Sequence, residues 1–112
     1  PDQLGENLRE RARGVAQFDR AFDRYDVLVL PTTAIVAPKF DEVATPEGFT
    51  ARNVLLLRNT SIANFFDLCA ISLPMRCGQA LPCGLMLLGR SGGDRALFQV
   101  AAALEAELER AN

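Results

Sequence analysis

Apolar residues recur every three or four positions over the first part of the chain. They are Leu4, Leu8, Ala12, Val15, Phe18, Phe22 and Tyr25. This spacing places them on one side of a helix, because an α-helix turns once every 3.6 residues. The other side carries Glu6, Arg9, Arg13, Arg20 and Asp23, and two opposite-charge pairs, Glu6 with Arg9 and Arg20 with Asp23, have contact spacing. The pattern predicts an amphipathic helix over roughly residues 3–24, with a solvated charged face.

Three short apolar runs have the length of strands: Val27–Leu30, Ala70–Leu73 and Leu85–Leu88. Their residues barely alternate between apolar and polar, which is typical of strands covered on both faces. We therefore expect three doubly covered strands and no amphipathic strand at a sheet edge. Because exposed apolar edges invite association, the pattern predicts either an oligomer or a piece of a larger fold.

The other segments read as a loop and three helices. Three prolines and a glycine over Pro31–Thr50 predict a long irregular excursion. The run Val54–Leu57 then predicts a helix, which Arg58 and Asn59 interrupt. A further short helix, with Thr60 or Ser61 as its cap, carries Ile62, Phe65, Phe66 and Leu68. A last helix begins at Gly93 or Asp94 and carries Leu97, Ala101, Leu104 and Leu108. The order of elements predicts an α/β fold.

Composition narrows the class of partner. The chain has 112 residues, of which 49% are hydrophobic and 23% charged, with a formal net charge of -2. One domain is the default for this length. The charges are mixed and form no basic block, so neither nucleic acid nor an anionic membrane surface is expected as a partner. No apolar run has the length of a membrane helix, and the polar first residues do not resemble a signal peptide. Three cysteines, an odd number, indicate reduced thiols in the cytoplasm.

Several familiar chemistries lack their residues. The chain contains no histidine, which removes Ser-His-Asp and Cys-His catalysis. Cys69, Cys77 and Cys83 lack the two-residue spacing of a zinc knuckle or a redox pair, so no metal or cofactor is expected. "GRSGGD" at Gly89–Asp94 lacks the lysine of a phosphate-binding loop and is interpreted as a tight turn before a helix.

Three stretches together resemble the carboxy-terminal part of amidase signature enzymes. They are "YDVLVLPTTAIVAP" at Tyr25–Pro38, "RNTSIANFFDLCAISLP" at Arg58–Pro74 and "ALPCGLMLLGRSGGDRALFQVAAALE" at Ala80–Glu105. Their order and spacing match the family over nearly the whole chain. One departure is Asp67-Leu68-Cys69, where many members have glycine and proline.

The resemblance implies a fragment of a large α/β/α fold, with one mixed central sheet and helices on both faces. It also implies hydrolysis or transfer of a carboxamide through an acyl-enzyme, with a serine nucleophile activated by a second serine and a lysine. In the family those residues lie far upstream, so residues 1–112 are expected to be a carboxy-terminal segment without the catalytic half, inactive alone. Neither Ser91, in "SGG", nor the sole lysine, Lys39, is expected to be catalytic.

The resemblance also implies a substrate-binding role for the segment before "AIS". Here that segment offers Thr60, Ile62, Asn64, Phe65 and Phe66, of which Ile62, Phe65 and Phe66 are the predicted wall for the acyl group. The expected partners are the rest of the amidase chain, a small amide substrate and, for the isolated segment, other copies of itself. The resemblance is compatible with simple amide hydrolysis, with allophanate hydrolysis and with the role of an amidotransferase subunit. From the residues alone, a non-catalytic interaction module and, more distantly, a cysteine-based redox protein stay open.

Overall fold

The computed structural model describes residues 2–76, 78 and 80–111. The described elements are α1 (Asp2–Phe22), β1 (Leu28–Pro31), a 3₁₀ helix (Phe40–Val43), α2 (Pro46–Arg58), α3 (Thr60–Phe65), β2 (Cys69–Met75), β3 (Cys83–Gly89) and α4 (Asp94–Arg110). The predicted first helix, the three strands and the start of the last helix are confirmed, and the fold is mixed α/β.

The described strands form one antiparallel sheet in the order β1-β3-β2. In register, Leu28 faces Leu88 and Pro31 faces Leu85 on one side of β3, while Cys69 faces Gly89 on the other. The last strand in sequence therefore lies at the centre, with the other two as edges.

This chain by itself covers both faces of β3, but not both faces of β1 and β2. These two strands alternate between more and less buried positions, and Val29 of β1 is 54% exposed. Of the three, β3 alone contributes to both core clusters. Its Met86 and Leu88 pack with Phe22 on one face, whereas Leu87 packs with Leu97 on the other. An all-apolar run of four residues fits an edge strand as well as a central one.

The helices are unequally covered. Over β2 and β3, α4 buries Leu97 and Ala101, and on the opposite face the end of α1 and α3 supply Phe22 and Ala63. By contrast α2 has no buried residue, although it carries the apolar run Val54–Leu57. In this helix Leu55 and Leu56 are partly buried, whereas Val54 and Leu57 are exposed.

The excursion after β1 is shorter than predicted. The Thr45 hydroxyl accepts a hydrogen bond from the Gly48 N–H at 3.0 Å, and Pro46 occupies the first turn, so α2 begins at Pro46 rather than near Phe49. The predicted cap of α3 is also wrong. Asn59 takes that position, while the hydroxyls of Thr60 and Ser61 donate to the carbonyl of Leu57.

Asn59 is buried, and its side-chain amide donates to the carbonyl of Pro31 at 2.8 Å. This bond ties the start of α3 to the end of β1. At the end of α1, Asp23 forms an ion pair with Arg90 at 2.8 Å rather than with Arg20. The sequence spacing therefore misassigned the partner of Asp23.

The molecule is a slab measuring 47 × 41 × 17 Å, with a radius of gyration of 16.8 Å. A compact domain of this length has a radius of gyration of about 13 Å. The accessible surface is 8208 Å², against about 6,000 Å² for an ordinary monomer of this mass. The chain therefore leaves about 2,000 Å² more surface uncovered than a self-contained domain would.

Candidate functional site

The end of α3 presents two adjacent phenylalanines. The rings of Phe65 and Phe66 meet edge to face, with centroids 4.9 Å apart and an interplanar angle of 89°. Phe66 also tilts against Phe18 of α1, at 4.9 Å and 50°. Such geometries are favoured because a ring edge is positive and a ring face negative. Phe65 is 49% exposed and Phe66 is half-buried, so Phe65 offers the larger free surface.

A glycine in α1 lets Phe66 approach the helix backbone. A Cβ added at Gly14 would clash with the Phe66 ring. Glycine inside a helix destabilises it by about 1 kcal/mol relative to alanine. The close approach of the ring is the physical reason for a glycine at this position.

Arg11, one turn before Gly14, contacts the segment after α3 through its guanidinium group. Its Nε donates to the carbonyl of Phe65 at 2.7 Å, and a terminal nitrogen lies 2.7 Å from a carboxylate oxygen of Asp67. The guanidinium carbon also lies 5.8 Å from the centroid of the Phe65 ring. One side chain of α1 therefore holds Phe65 by its backbone and contacts its ring.

Asp67 has a φ of 56°, in the left-handed region that favours glycine. Asp67 belongs to the stretch Asp67-Leu68-Cys69, at which the sequence departs from the pattern of amidase signature enzymes. Aspartate tolerates the left-handed conformation better than most residues. Its ion pair with Arg11 gives a second reason for an aspartate here.

Between α1 and the end of α3 lies an open concavity of about 440 Å³. Its lining is formed by Asn7, Glu10, Arg11, Arg13, Gly14, Gln17, Phe65 and Phe66. The two rings form an apolar wall and the side chains of α1 form a polar rim. Ligand sites commonly combine such a wall with a few polar groups.

Ile62 lies on the same short helix but is not part of this lining. Its side chain packs against the buried cluster that includes Ala63 and Met86. The structure thus brings Phe65 and Phe66 together at a surface concavity and places Ile62 against the core. Asn64, also in α3, is exposed.

Two hydroxyl groups form a second polar contact, across β3 at Gly84. The hydroxyls of Thr32 and Ser72 lie 2.5 Å apart, although their strands flank β3 and do not pair with each other. Gly84 of β3 makes this possible, because an added Cβ would lie 2.6 Å from the Ser72 oxygen and 2.7 Å from that of Thr32. Each hydroxyl has the other as its hydrogen-bond partner, so this contact joins the segment after β1 to β2 across β3.

The remaining serines and the lysine are not arranged as a catalytic set among the described residues. Ser61 donates to the carbonyl of Leu57, and Ser91 and Lys39 are exposed. The backbone N–H of Lys39 donates to Glu42 at 2.7 Å, so this residue contributes to the start of the 3₁₀ helix. The described part of the chain shows no hydrogen-bonded pair of serine and lysine.

Two cysteines lie in the described residues, Cys69 and Cys83. Burial, and then the charge of Asp94, raises the pKa of the Cys69 thiol above its ordinary value. That thiol donates to the carbonyl of Arg90 at 3.2 Å. Cys77 lies outside the described residues. In the part of the chain that is described, no three residues of the metal-binding types form a cluster, and no helix is long and apolar enough to cross a membrane.

The sequence indicated Phe65 and Phe66 as site residues, but not the residues of α1 that contact them. Arg11 belongs to a helix whose polar face was interpreted as solvated, and Gly14 carries no pattern of its own. Helical spacing places both near the apolar side that includes Ala12 and Phe18. That position, close to the apolar side, was the available signal.

Comparisons with known proteins identify the family of the chain. The sequence model of the Amidase family matches residues 3–98. The chain is 34% identical over 105 residues to 2-amino-5-chloromuconic acid deaminase of Comamonas testosteroni, covering 90% of this chain and 23% of that protein. It is 35% identical over 100 residues to a fatty acid amide hydrolase of Oryza sativa subsp. indica, covering 87% of this chain and 16% of that protein.

The fold is also found in a solved structure, that of a glutamyl-tRNA(Gln) amidotransferase subunit from Thermotoga maritima. The TM-score is 0.67 at 24% identity, covering 85% of this chain and 20% of that one. The chain therefore spans about a fifth of the length of the proteins it matches. Because the family match extends over most of its residues, the chain belongs to the amidase family.

Proposed function

We propose that this chain is the carboxy-terminal segment of an amidase whose catalytic residues lie upstream of it. The observation that carries the proposal is the family match over residues 3–98 by a chain that spans about a fifth of its relatives. The exposed position of Lys39, the sole lysine, supports an absent catalytic half. A lysine acts as a base near neutral pH only where burial or a neighbouring charge lowers its pKa.

The shape of the molecule supports the same proposal. An excess of about 2,000 Å² of uncovered surface is comparable to what one partner of a large permanent interface contributes. The uncovered apolar side chains of α2, with Val54 and Leu57 60% and 52% exposed, belong to that surface. We propose the rest of the amidase polypeptide as its cover, and self-association when that polypeptide is absent.

The complete enzyme is proposed to hydrolyse, or transfer the nitrogen of, a small carboxamide. A serine attacks the carboxamide carbon, ammonia or an amine leaves, and water or another acceptor resolves the acyl-enzyme. Backbone amides stabilise the oxyanion that forms during attack. Of the relatives, one is named a deaminase, one an amide hydrolase and one an amidotransferase subunit. We propose the cytoplasm as its location, which the odd number of cysteines in the chain supports.

Within that enzyme, Ile62, Phe65 and Phe66 are proposed to shape the preference for the acyl group. The exposed ring of Phe65 and the concavity beside it support a contact with the acyl chain. Ile62, which packs against the core from the same short helix, is proposed to act on the wall through that packing. An apolar wall discriminates by about 1 to 3 kcal/mol per methylene-sized change.

The first experiment separates the segment from the enzyme. We expect the purified 112-residue chain to release no ammonia from small aliphatic and aromatic amides, and the complete polypeptide to do so. The Ser91→Ala variant of the chain is the control for contaminating enzyme. Turnover by the chain above that control would contradict the proposal.

The second experiment tests the acyl wall in the complete enzyme. Phe65→Ala and Ile62→Ala are expected to change the relative kcat/KM across amides of increasing acyl length without abolishing turnover. Asn64→Ala, on the same helix, is the matched control. If the relative values were the same in the wild type and both variants, these residues would have no role in acyl preference.

The third experiment concerns the chain alone. Its sedimentation is expected to change across roughly a hundredfold dilution, because dilution dissociates a self-associated species. A compact monomer with a cooperative thermal transition at every concentration would favour the alternative of a stand-alone interaction module.

A further inference from the structure

Arg11 is the single side chain that joins α1 to both Phe65 and Asp67. The carbonyl of Phe65 lies in the last turn of α3, where helix carbonyls have no partner within the helix. The Nε of Arg11 donates to it at 2.7 Å, and the same guanidinium is paired with Asp67 at 2.7 Å. Two donors of one planar group therefore fix the chain on both sides of Phe66.

This arrangement acts on the orientation of Phe65 more than on the core. The Phe65 ring is half exposed, whereas Phe66 is fixed by its contacts with Phe18 and by the space over Gly14. What limits the Phe65 ring is its backbone, its edge contact with Phe66, and the guanidinium 5.8 Å from its centroid. Two of these three restraints on Phe65 involve Arg11 directly.

We propose that Arg11 is a positioning residue for acyl selectivity, which holds Phe65 as the wall of the concavity through its carbonyl and its ring. The proposal rests on the proposed role of Phe65 in binding the acyl group of the amide substrate. Arg11 does not touch the reacting atoms. Asp67 keeps the guanidinium in place, and its left-handed φ of 56° turns the chain so that its carboxylate meets Arg11.

The test is a series of primary amides of increasing acyl length, assayed with the complete enzyme that contains this segment. Arg11→Ala is expected to change the ratio of kcat/KM between the longest and the shortest amide by about tenfold, in the same direction as Phe65→Ala. The change is expected in KM for the long amides, with kcat for the shortest amide unchanged. A loss of folded enzyme would instead lower kcat equally for every amide and leave the ratio unchanged.

Two further variants keep the test decisive if Arg11→Ala yields no folded enzyme. Arg11→Lys retains a positive charge for Asp67 but has no Nε fork, and is expected to change the ratio partly. Asp67→Asn keeps a side chain that tolerates the left-handed conformation and removes the charge, with a smaller change expected. Arg20→Ala is the matched control, because that exposed arginine of α1 has no side-chain partner among the described residues.

The outcomes distinguish the positioning role of Arg11 from the acyl-binding role of Phe65. If Phe65→Ala changes the ratio while the Arg11 and Asp67 variants do not, Phe65 binds the acyl group and Arg11 does not position it. If Phe65→Ala also leaves the ratio unchanged, the acyl wall itself is wrong. If Arg20→Ala changes the ratio as much as Arg11→Ala does, the effect belongs to the charge of α1, and the positioning role is overturned.

Discussion

Two apolar runs of equal length occupy opposite surroundings in this molecule. In β3, Met86 and Leu87 are 3% and 0% exposed, whereas in α2 Val54 and Leu57 are 60% and 52% exposed. The run in β3 lies between two strands and two layers of helices, and α2 packs chiefly against the 3₁₀ helix and α3. An apolar run therefore predicts that a segment is buried in the working protein, but not that the same chain supplies the cover.

The largest expected effect on stability comes from truncating a side chain in the run of β3, and the run of α2 provides the comparison. Leu87→Ala is expected to lower the free energy of unfolding by about 2 to 5 kcal/mol, because it opens a cavity among residues that cannot all relax. Val54→Ala, at an exposed position of α2, is expected to change it by at most about 0.5 kcal/mol in the isolated chain, diluted until it is monomeric. Chemical denaturation at one protein concentration measures both. Equal losses would show that α2 is as well covered in solution as β3.

The same contrast exists within α1, between its packed and its open end. Gly14→Ala is expected to destabilise the chain by about 1 to 3 kcal/mol, since the new methyl group forces the Phe66 ring to move. Gly5→Ala is the matched control, because its added Cβ would meet a single atom, the Arg9 terminal nitrogen at 3.8 Å. There the gain in helix propensity is expected to stabilise the chain by up to about 1 kcal/mol.

Thermal unfolding of the two glycine variants measures this difference in sign. A stabilising Gly14→Ala would show that Phe66 does not pack against α1 in solution. A destabilising Gly5→Ala would instead show that the open end of α1 is covered, and would remove the contrast.

The smallest expected effect concerns Glu42, at the start of the exposed segment that leads into α2. The hydrogen bond from the Lys39 N–H, and then that from Arg52, lowers the pKa of the Glu42 carboxyl below its ordinary value of 4.5. A lowered pKa means that the folded state favours the charged form. The stabilisation is therefore complete above pH 4.5 and is lost as the pH falls through the lower folded value.

The titration of Glu42, followed by the chemical shift of its side-chain carboxyl carbon, tests this expectation. The midpoint is expected below 4.5 in the wild type and closer to it in Arg52→Ala. Glu47→Gln, in the first turn of α2, is the control for a change in local charge. A wild-type midpoint at or above 4.5 would show that the contacts of Glu42 are not formed in solution.

The periodicity of apolar residues was sufficient to locate the helices and strands, but it did not predict which of them pack against each other. The spacing of Leu8, Phe18 and Phe22 determined the first helix, and the runs around Leu28 and Leu87 located two strands. The same runs gave no information on strand order, because side chains on an edge strand and on a central strand have the same period. The predicted cap of α3 was wrong because Asn59 takes the cap position. Its side chain is a hydrogen-bond donor to the carbonyl of Pro31, on a separate element that local sequence does not reveal.

In the candidate site, too, some residues were predictable from the sequence and others were not. The resemblance to amidase signature enzymes pointed to Phe65 and Phe66, since they lie in a quoted motif. Arg11 and Gly14 are far from the rings in sequence, and no local pattern marks them as neighbours of the rings. Contacts between side chains on separate elements depend on how α1 crosses α3, which local hydrophobic patterning does not encode.

The sequence by itself determined the family, the three strands and the main helices, and the absence of histidine chemistry, because motif order and residue identity are properties of the chain. Only the tertiary structure decided that β3 is central, that Arg11 reaches Phe65 and Asp67, and that α2 is left uncovered. The reason is that burial is a property of pairs of surfaces. The identity of an apolar side chain is a property of the chain, whereas the packing of the fold decides which surface, if any, covers it.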